Sequence, residues 1–173
     1  MSRLTPFSYV ILVLVGEGGA GPHDLVRMMR LGRIYWSAPE SQFYAEPKKL
    51  AEGGYLTATK QPGRTHERTH YELTAKGREA LEEWLATPAR FARIQNEPIV
   101  RVLGSEYVDK ATLLQSLGAL RAEIAQLSAQ LDEQRAGEER LPHRARALRL
   151  NNRLARRILQ AHLEWLDDVE REL

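Results

Sequence analysis

The chain has 173 residues, 43 % hydrophobic and 28 % charged, enough apolar content for a buried core in one or two domains and too much for a disordered chain. It holds no cysteine, which excludes disulfide frameworks, thiolate chemistry and zinc fingers and predicts a cytoplasmic protein. The formal net charge is only +2, yet residues 27–68 carry eight Lys or Arg against four acids, a local excess that suits a surface facing phosphate.

The apolar run at residues 9–15 follows Arg3 and mimics the front of a signal peptide. It is too short to span a bilayer and is followed by no small-residue cleavage site, and Thr5-Pro6 is a helix start. A buried first helix is predicted, with Phe7, Val10, Ile11, Leu14 and Val15 on its apolar face and no membrane partner. Gly16, Gly18, Gly19 and Gly21 end it. Pro22 opens a second helix that buries Leu25, Met28 and Met29 and runs to Gly32. Ser37 and Glu40 have capping-box spacing and Pro39 fits a first turn, so a third helix is expected from there to Gly53-Gly54.

Residues 55–60 and 68–73 read as strands around a Gln61-Pro62-Gly63-Arg64 turn. Leu56, Ala58, Tyr71 and Leu73 share one face of this hairpin, and Thr57, Thr59, Arg68 and His70 the other. Thr74 caps a further helix carrying Ala80, Leu81, Trp84 and Leu85. Prolines 88 and 98 bracket a boundary, giving a domain at 1–90 and a helical domain at 91–173. In the second domain Leu113, Leu117, Leu120, Ile124, Leu127 and Leu131 form a helix-packing seam. Gly137 and Pro142 mark a turn, and Leu150, Leu154, Ile158, Ala161, Trp165, Val169 and Leu173 form a broader stripe on a second long helix.

The predicted class is mainly α with a small β-hairpin: an N-terminal winged helix-turn-helix followed by an antiparallel two-helix dimerisation domain. Three helices, a hairpin and a helix are the winged-helix order, in which the helix before the hairpin enters the DNA major groove. On that helix Ser41, Gln42, Ala45, Lys48 and Lys49 share one side, while Phe43 and Leu50 turn to the core and Tyr44 stands between the two. Serine and glutamine suit base edges and lysine suits phosphate. Lys60, Arg64, His66 and Arg68 surround the hairpin tip and suit backbone or minor-groove contact.

The N-terminal half resembles the PadR family of bacterial transcriptional regulators. The resemblance rests on Leu4-Thr5-Pro6-Phe7-Ser8-Tyr9-Val10-Ile11-Leu12, on Phe43-Tyr44 followed by Leu50 and Gly54-Tyr55-Leu56, and on Tyr71-Glu72-Leu73-Thr74 with Gly77. It covers residues 4–85, and the two long C-terminal helices resemble the family's larger subgroup in layout. It implies a homodimeric, usually repressive protein that binds double-stranded DNA, dimerises through its C-terminal helices and often answers to small phenolic or drug-like inducers. The resemblance maps DNA contact onto Ser41, Gln42, Tyr44, Lys48 and residues 64–68. Pro47 departs from the pattern, which has leucine there, and predicts a kink in the helix.

No catalytic group, cofactor or metal site is expected. His66 and His70 share a strand face but lie too far apart to chelate, with no third ligand nearby, and His23-Asp24 reads as helix-start chemistry. No phosphate loop or activated nucleophile is present, so the chain is not read as an enzyme. Residues 140–157 hold seven arginines and no acid, and pairing with Asp132, Glu133, Glu138 and Glu139 on the preceding helix predicts a salt-laced hairpin. The tail acids Glu164, Asp167, Asp168, Glu170 and Glu172 are expected as partners across a dimer. Trp84 and Trp165 are candidate walls of an effector pocket, with plain packing as the other reading. A protein-interaction adaptor docking through the winged helix is the alternative function.

Overall fold

A computed structural model of the chain describes residues 4–31, 34–62, 67–91, 94–135 and 143–173. Two compact units divide it, Met1–Phe91 and Ala92–Leu173. Gly32, Arg33, Gly63, Arg64, Thr65, His66, Gly137, Glu138, Glu139, Arg140 and Pro142, on which the sequence raises expectations, lie outside the described residues.

In the first unit α1 (Pro6–Val15) starts at a reciprocal cap: Ser8 N–H donates to Thr5 Oγ1 at 3.2 Å and Thr5 N–H to Ser8 Oγ at 3.0 Å. Its fully buried positions are Ser8, Ile11, Leu12 and Val15. Leu12 therefore joins the expected apolar face, because helical spacing from Ser8 runs through it. Gly16 ends the helix at φ 53°. α2 (Pro22–Leu31) buries Leu25 and Val26, with Met28 and Met29 partly covered.

α3 (Gln42–Glu52) begins later than the Ser37–Glu40 spacing predicts. Glu40 instead accepts from the Arg30 guanidinium at 2.7 Å, and a turn closes over it through Gln42 N–H to Pro39 O and Phe43 N–H to Glu40 O. Phe43, Pro47 and Leu50 are buried, and Phe43 meets the Phe7 ring edge-on at 5.1 Å between centroids. The C-terminus closes as a Schellman turn: Tyr55 N–H reaches Leu50 O, Gly54 N–H reaches Ala51 O, and Gly54 stands at φ 75°.

Strands β1 (Leu56–Gln61) and β2 (Arg68–Leu73) pair antiparallel, with Leu56 opposite Leu73 and Ala58 opposite Tyr71, which is the expected register. Ala20 adds an isolated bridge to Tyr71 through two backbone hydrogen bonds of 2.9 and 3.0 Å, so the glycine-rich loop after α1 edges the hairpin. A side chain at Gly19 would collide with His70 and with the Tyr71 carbonyl, which accounts for glycine there. α4 (Ala75–Leu85) is capped by Thr74.

In the second unit α5 (Glu97–Leu103) buries no residue of its own and leads through a 3-10 turn at Ser105–Tyr107 into α6 (Lys110–Arg135) and α7 (Ala145–Glu172). Asp109 caps α6, accepting Thr112 N–H at 2.8 Å and Thr112 Oγ1–H at 3.0 Å. Asn96 Nδ2 donates to His162 Nε2, while His162 Nδ1–H donates to Ile158 O, tying the start of α5 to α7.

α6 and α7 pack antiparallel, as Arg121 bonding Asp167 and Glu170 and Arg156 bonding Asp132 require. Leu113, Leu117, Ile124 and Leu131 are buried in this hairpin, with Leu120 and Leu127 partly so. α7 answers with Ala155, Leu159, Leu166 and Val169.

Candidate nucleic-acid interface

The geometry of the winged unit follows from which side of α3 is consumed by the core. Phe43, Pro47 and Leu50 point inward, leaving Ser41, Gln42, Ala45, Lys48 and Lys49 exposed together on the opposite side. The α3 carboxylate at Glu46 is turned away from that face. Ser8 Oγ–H, itself buried, donates to Glu46 Oε1 at 2.6 Å, and the Glu46 side chain is only 16 % exposed. The bond joins the cap of α1 to the middle of α3 and leaves the outer face polar and cationic.

Tyr44 is exposed rather than in the core: its hydroxyl is hydrogen-bonded to His23 Nδ1 at 3.2 Å and the two rings meet edge-on. The pair connects α2 and α3 on the solvent side. Pro47 has no N–H for the Phe43 carbonyl, yet α3 runs through it unbroken, with Pro47 packed in the core.

The far end of α3 is clasped by α4. Thr74 Oγ1–H donates to Gly54 O at 2.7 Å, Lys76 Nζ donates to Gly53 O at 2.7 Å, and the Lys76 ammonium stands 4.3 Å from the centre of the Tyr55 ring. Gly77 permits this approach, since a Cβ there would come within 2.0 Å of the Tyr55 carbonyl oxygen.

On the hairpin Lys60 and Arg68 project from opposite faces near the tip, as the register with Thr69 and Gln61 dictates. Lys60 Nζ donates to Thr69 Oγ1 and Arg68 to Gln61 Oε1, so both cations remain free of carboxylates among the described residues. Arg64 and His66 lie outside the described residues. His70 faces Glu72 at 3.8 Å, and the described residues hold no cluster of three metal-ligating side chains.

The two tryptophans belong to different surroundings. Trp84 stacks on Tyr9 at 4.8 Å between ring centres, joining α4 to α1, whereas Trp165 is half-buried on α7. An open groove of about 590 Å³ beside α7 is lined by Ser128, Arg157, Ala161 and Glu164 among others, and neither tryptophan contributes to it.

The expected dimerisation residues separate into two sets. Leu113, Leu117, Ile124, Leu131 and Val169, expected to serve dimerisation, are already buried within the chain, because α7 supplies a complementary face to the α6 seam. Leu120 and Leu127 are partly covered, while Leu154 is 53 % exposed and Ile158 and Trp165 are half-buried. Of the expected salt-laced hairpin, Arg156 meets Asp132, and Glu138, Glu139 and Arg140 lie outside the described residues; Arg146, Arg149, Arg153 and Arg157 make no ion pair among the described residues. Asp167 and Glu170 are engaged by Arg121 of the same chain.

No helix among the described residues is long and apolar enough to cross a membrane. A three-helix head with a two-stranded wing, ahead of two long helices, defines the class: a winged helix-turn-helix protein with a helical C-terminal unit. The model of the family described as "Virulence activator alpha C-term" matches residues 94–173. The negative transcriptional regulator PadR of Bacillus subtilis (strain 168) is 32 % identical over 117 residues, 66 % of this chain and 59 % of that relative's length. The B. subtilis PadR structure with operator DNA superposes with a TM-score of 0.79 at 20 % identity, covering 98 % of both chains. The same protein with p-coumaric acid gives 0.69 at 21 % identity, covering 95 % of this chain and 96 % of that one. The Vibrio cholerae virulence activator AphA gives 0.73 at 25 % identity, again covering 95 % and 96 %. The chain is thus similar to PadR-family regulators in fold along its length and in sequence over 117 residues, and it spans 59 % of the length of the curated relative it matches.

Proposed function

We propose that this chain is a sequence-specific DNA-binding transcriptional regulator of the cytoplasm, a homodimer that represses from an inverted-repeat operator and is released by a small aromatic effector. The observation that carries the reading is the outer side of α3, where Ser41, Gln42, Lys48 and Lys49 stand together while Glu46 is tied back to Ser8. A helix of this kind fits the major groove, with Gln42 and Ser41 at base edges and the lysines at phosphates. Tyr44 flanks them, and Lys60, Arg64, His66 and Arg68 of the wing run along the adjoining backbone.

Two heads in a dimer read half-sites about one helical turn apart. Repression agrees with the negative regulation named for the B. subtilis relative, and the effector with its p-coumaric acid complex. An effector held near Trp84 or Trp165 acts by favouring a head spacing that misfits the operator.

The test is selection from a random duplex pool followed by anisotropy titration at two salt concentrations. The expected result is a palindromic consensus bound about 10³-fold more tightly than a scrambled duplex, with affinity falling as salt rises. Lys48→Ala with Lys49→Ala is expected to weaken both. Recovery of no consensus overturns the reading and favours a protein-docking role. Repression is checked with a reporter downstream of the selected site, and the effector with a panel of phenolic acids, where no loss of DNA affinity removes that element.

A further inference from the structure

Helix α7 carries a basic edge that its packing on α6 leaves unused. Viewed down the helix, Ala155, Leu159, Leu166 and Val169 face α6. Arg146, Arg149, Arg153 and Arg157, spaced three or four residues apart, lie exposed on the opposite side. None of the four has a carboxylate partner among the described residues, whereas Arg121, Arg156 and Arg171 of the same unit are each paired. Like charges at this spacing repel along a helix, so the row costs the fold some stability and brings it no contact. Beyond Gln160 the same line turns acidic at Glu164 and Asp168, which confines the edge to the amino half of α7. At ~1.5 Å per residue the arginines cover about 16 Å of helix axis.

We propose that this edge is a second nucleic-acid contact, which grips the phosphate backbone of a DNA duplex and reads no sequence. It rests on the DNA-binding reading for its partner. Arginine suits phosphate because it stays charged at any ordinary pH and its planar fork takes two oxygens at once. Phosphates recur every ~3.4 Å along each strand, so about five of them run beside the row. A chain that holds a duplex at α3 meets phosphate at high local concentration, so even a weak edge adds to affinity. Glu164 and Asp168 repel the same backbone and keep the duplex at the amino half of the helix. Contact of this kind strengthens operator and random DNA alike, which distinguishes it from the outer side of α3.

The test is anisotropy titration of the full chain over a series of salt concentrations, against the selected operator and against a random-sequence duplex of the same length. The wild type is compared with Arg149→Gln plus Arg153→Gln and with Arg149→Lys plus Arg153→Lys. Both positions are exposed and both replacements are good helix formers, and circular dichroism and sedimentation verify helix content and oligomeric state. In the glutamine variant the slope of log affinity against log salt is expected to fall by about two per chain, and affinity at low salt by about tenfold, equally on both duplexes. The lysine variant is expected to keep most of the slope. Unchanged slope and affinity in the glutamine variant overturn the proposal while leaving the DNA-binding reading intact. A wild type that binds neither duplex overturns both. A loss of affinity that comes with a changed oligomeric state overturns the proposal too, since the arginines then act through assembly. Polyglutamate bound through these arginines, with duplex binding unaffected by their replacement, overturns it and assigns the edge to an acidic polypeptide.

Discussion

Glu46 shows how one hydrogen bond changes what a residue means. On the sequence it is an acid beside two lysines on the helix proposed to face DNA, where it would repel phosphate. In the fold its carboxylate accepts from Ser8 and stands 3.9 Å from Lys49 Nζ. Ser8→Ala removes the donor and leaves a largely covered carboxylate short of a partner, so a loss of about 1–3 kcal/mol is expected in urea denaturation. A loss below about 0.3 kcal/mol refutes that account, since it lies within the range of an ordinary surface substitution. Gly77→Ala drives a methyl group against the Tyr55 carbonyl, which sits at a backbone corner that cannot retreat freely. It is expected to cost about 1–3 kcal/mol and to lower the melting temperature. Neither dependence was visible in the linear sequence: Ser8 and Glu46 lie 38 positions apart, and Gly77 reads as an ordinary helical glycine until α4 is seen against the α3 corner.

At the scale of elements, the helices and hairpin were largely legible because their signals are local. Thr5-Pro6, Thr74 and the Gly53-Gly54 pair each cap or end what they were expected to, and alternation fixed the hairpin register. The start of α3 was misread because Ser37 and Glu40 have the right spacing, but Glu40 found Arg30 instead. Ala155, Leu159 and Leu166, which bury against α6, were missed for a different reason: an amphipathic helix with apolar residues on more than one side does not say which side meets its neighbour. The α6–α7 seam predicts that Ile124→Ala destabilises the second unit by about 2–5 kcal/mol in chemical denaturation, while Leu154→Ala costs much less. Asp109 has its carboxyl held below the ordinary range, first by the Thr112 backbone N–H and then by the Thr112 hydroxyl. A lowered native value means stability present above the ordinary carboxylate range and lost as pH falls through the lowered one. Amide-exchange protection in the first turn of α6, taken relative to the intrinsic rate at each pH, is therefore expected to fall on acidification below about pH 4, and Asp109→Asn is expected to flatten that response.

For the molecule as a whole, net charge was a poor guide and its distribution a good one. The cationic face of α3 and the wing was legible from the basic excess at residues 27–68, whereas the contacts that aim it, Tyr44 with His23 and Lys76 with Gly53, required the fold. Replacing Lys48 with alanine is expected to reduce the slope of log affinity against log salt by about one on the selected duplex, a loss spread evenly over sequences. Replacing Gln42 is expected to relax the preference at one or two base positions and leave the salt slope unchanged. The order of charge along α7 has one more consequence. A helix favours anions at its amino end and cations at its carboxyl end, because its peptide dipoles align. α7 is arranged the other way, with arginines at positions 146, 149, 153 and 157 and acids at 164, 167, 168, 170 and 172. Its own dipole therefore works against it, and a synthetic α7 peptide is expected to be less helical than one with the two charged halves exchanged. Packing of Ala155, Leu159, Leu166 and Val169 on α6 therefore offsets what the charge order costs this helix.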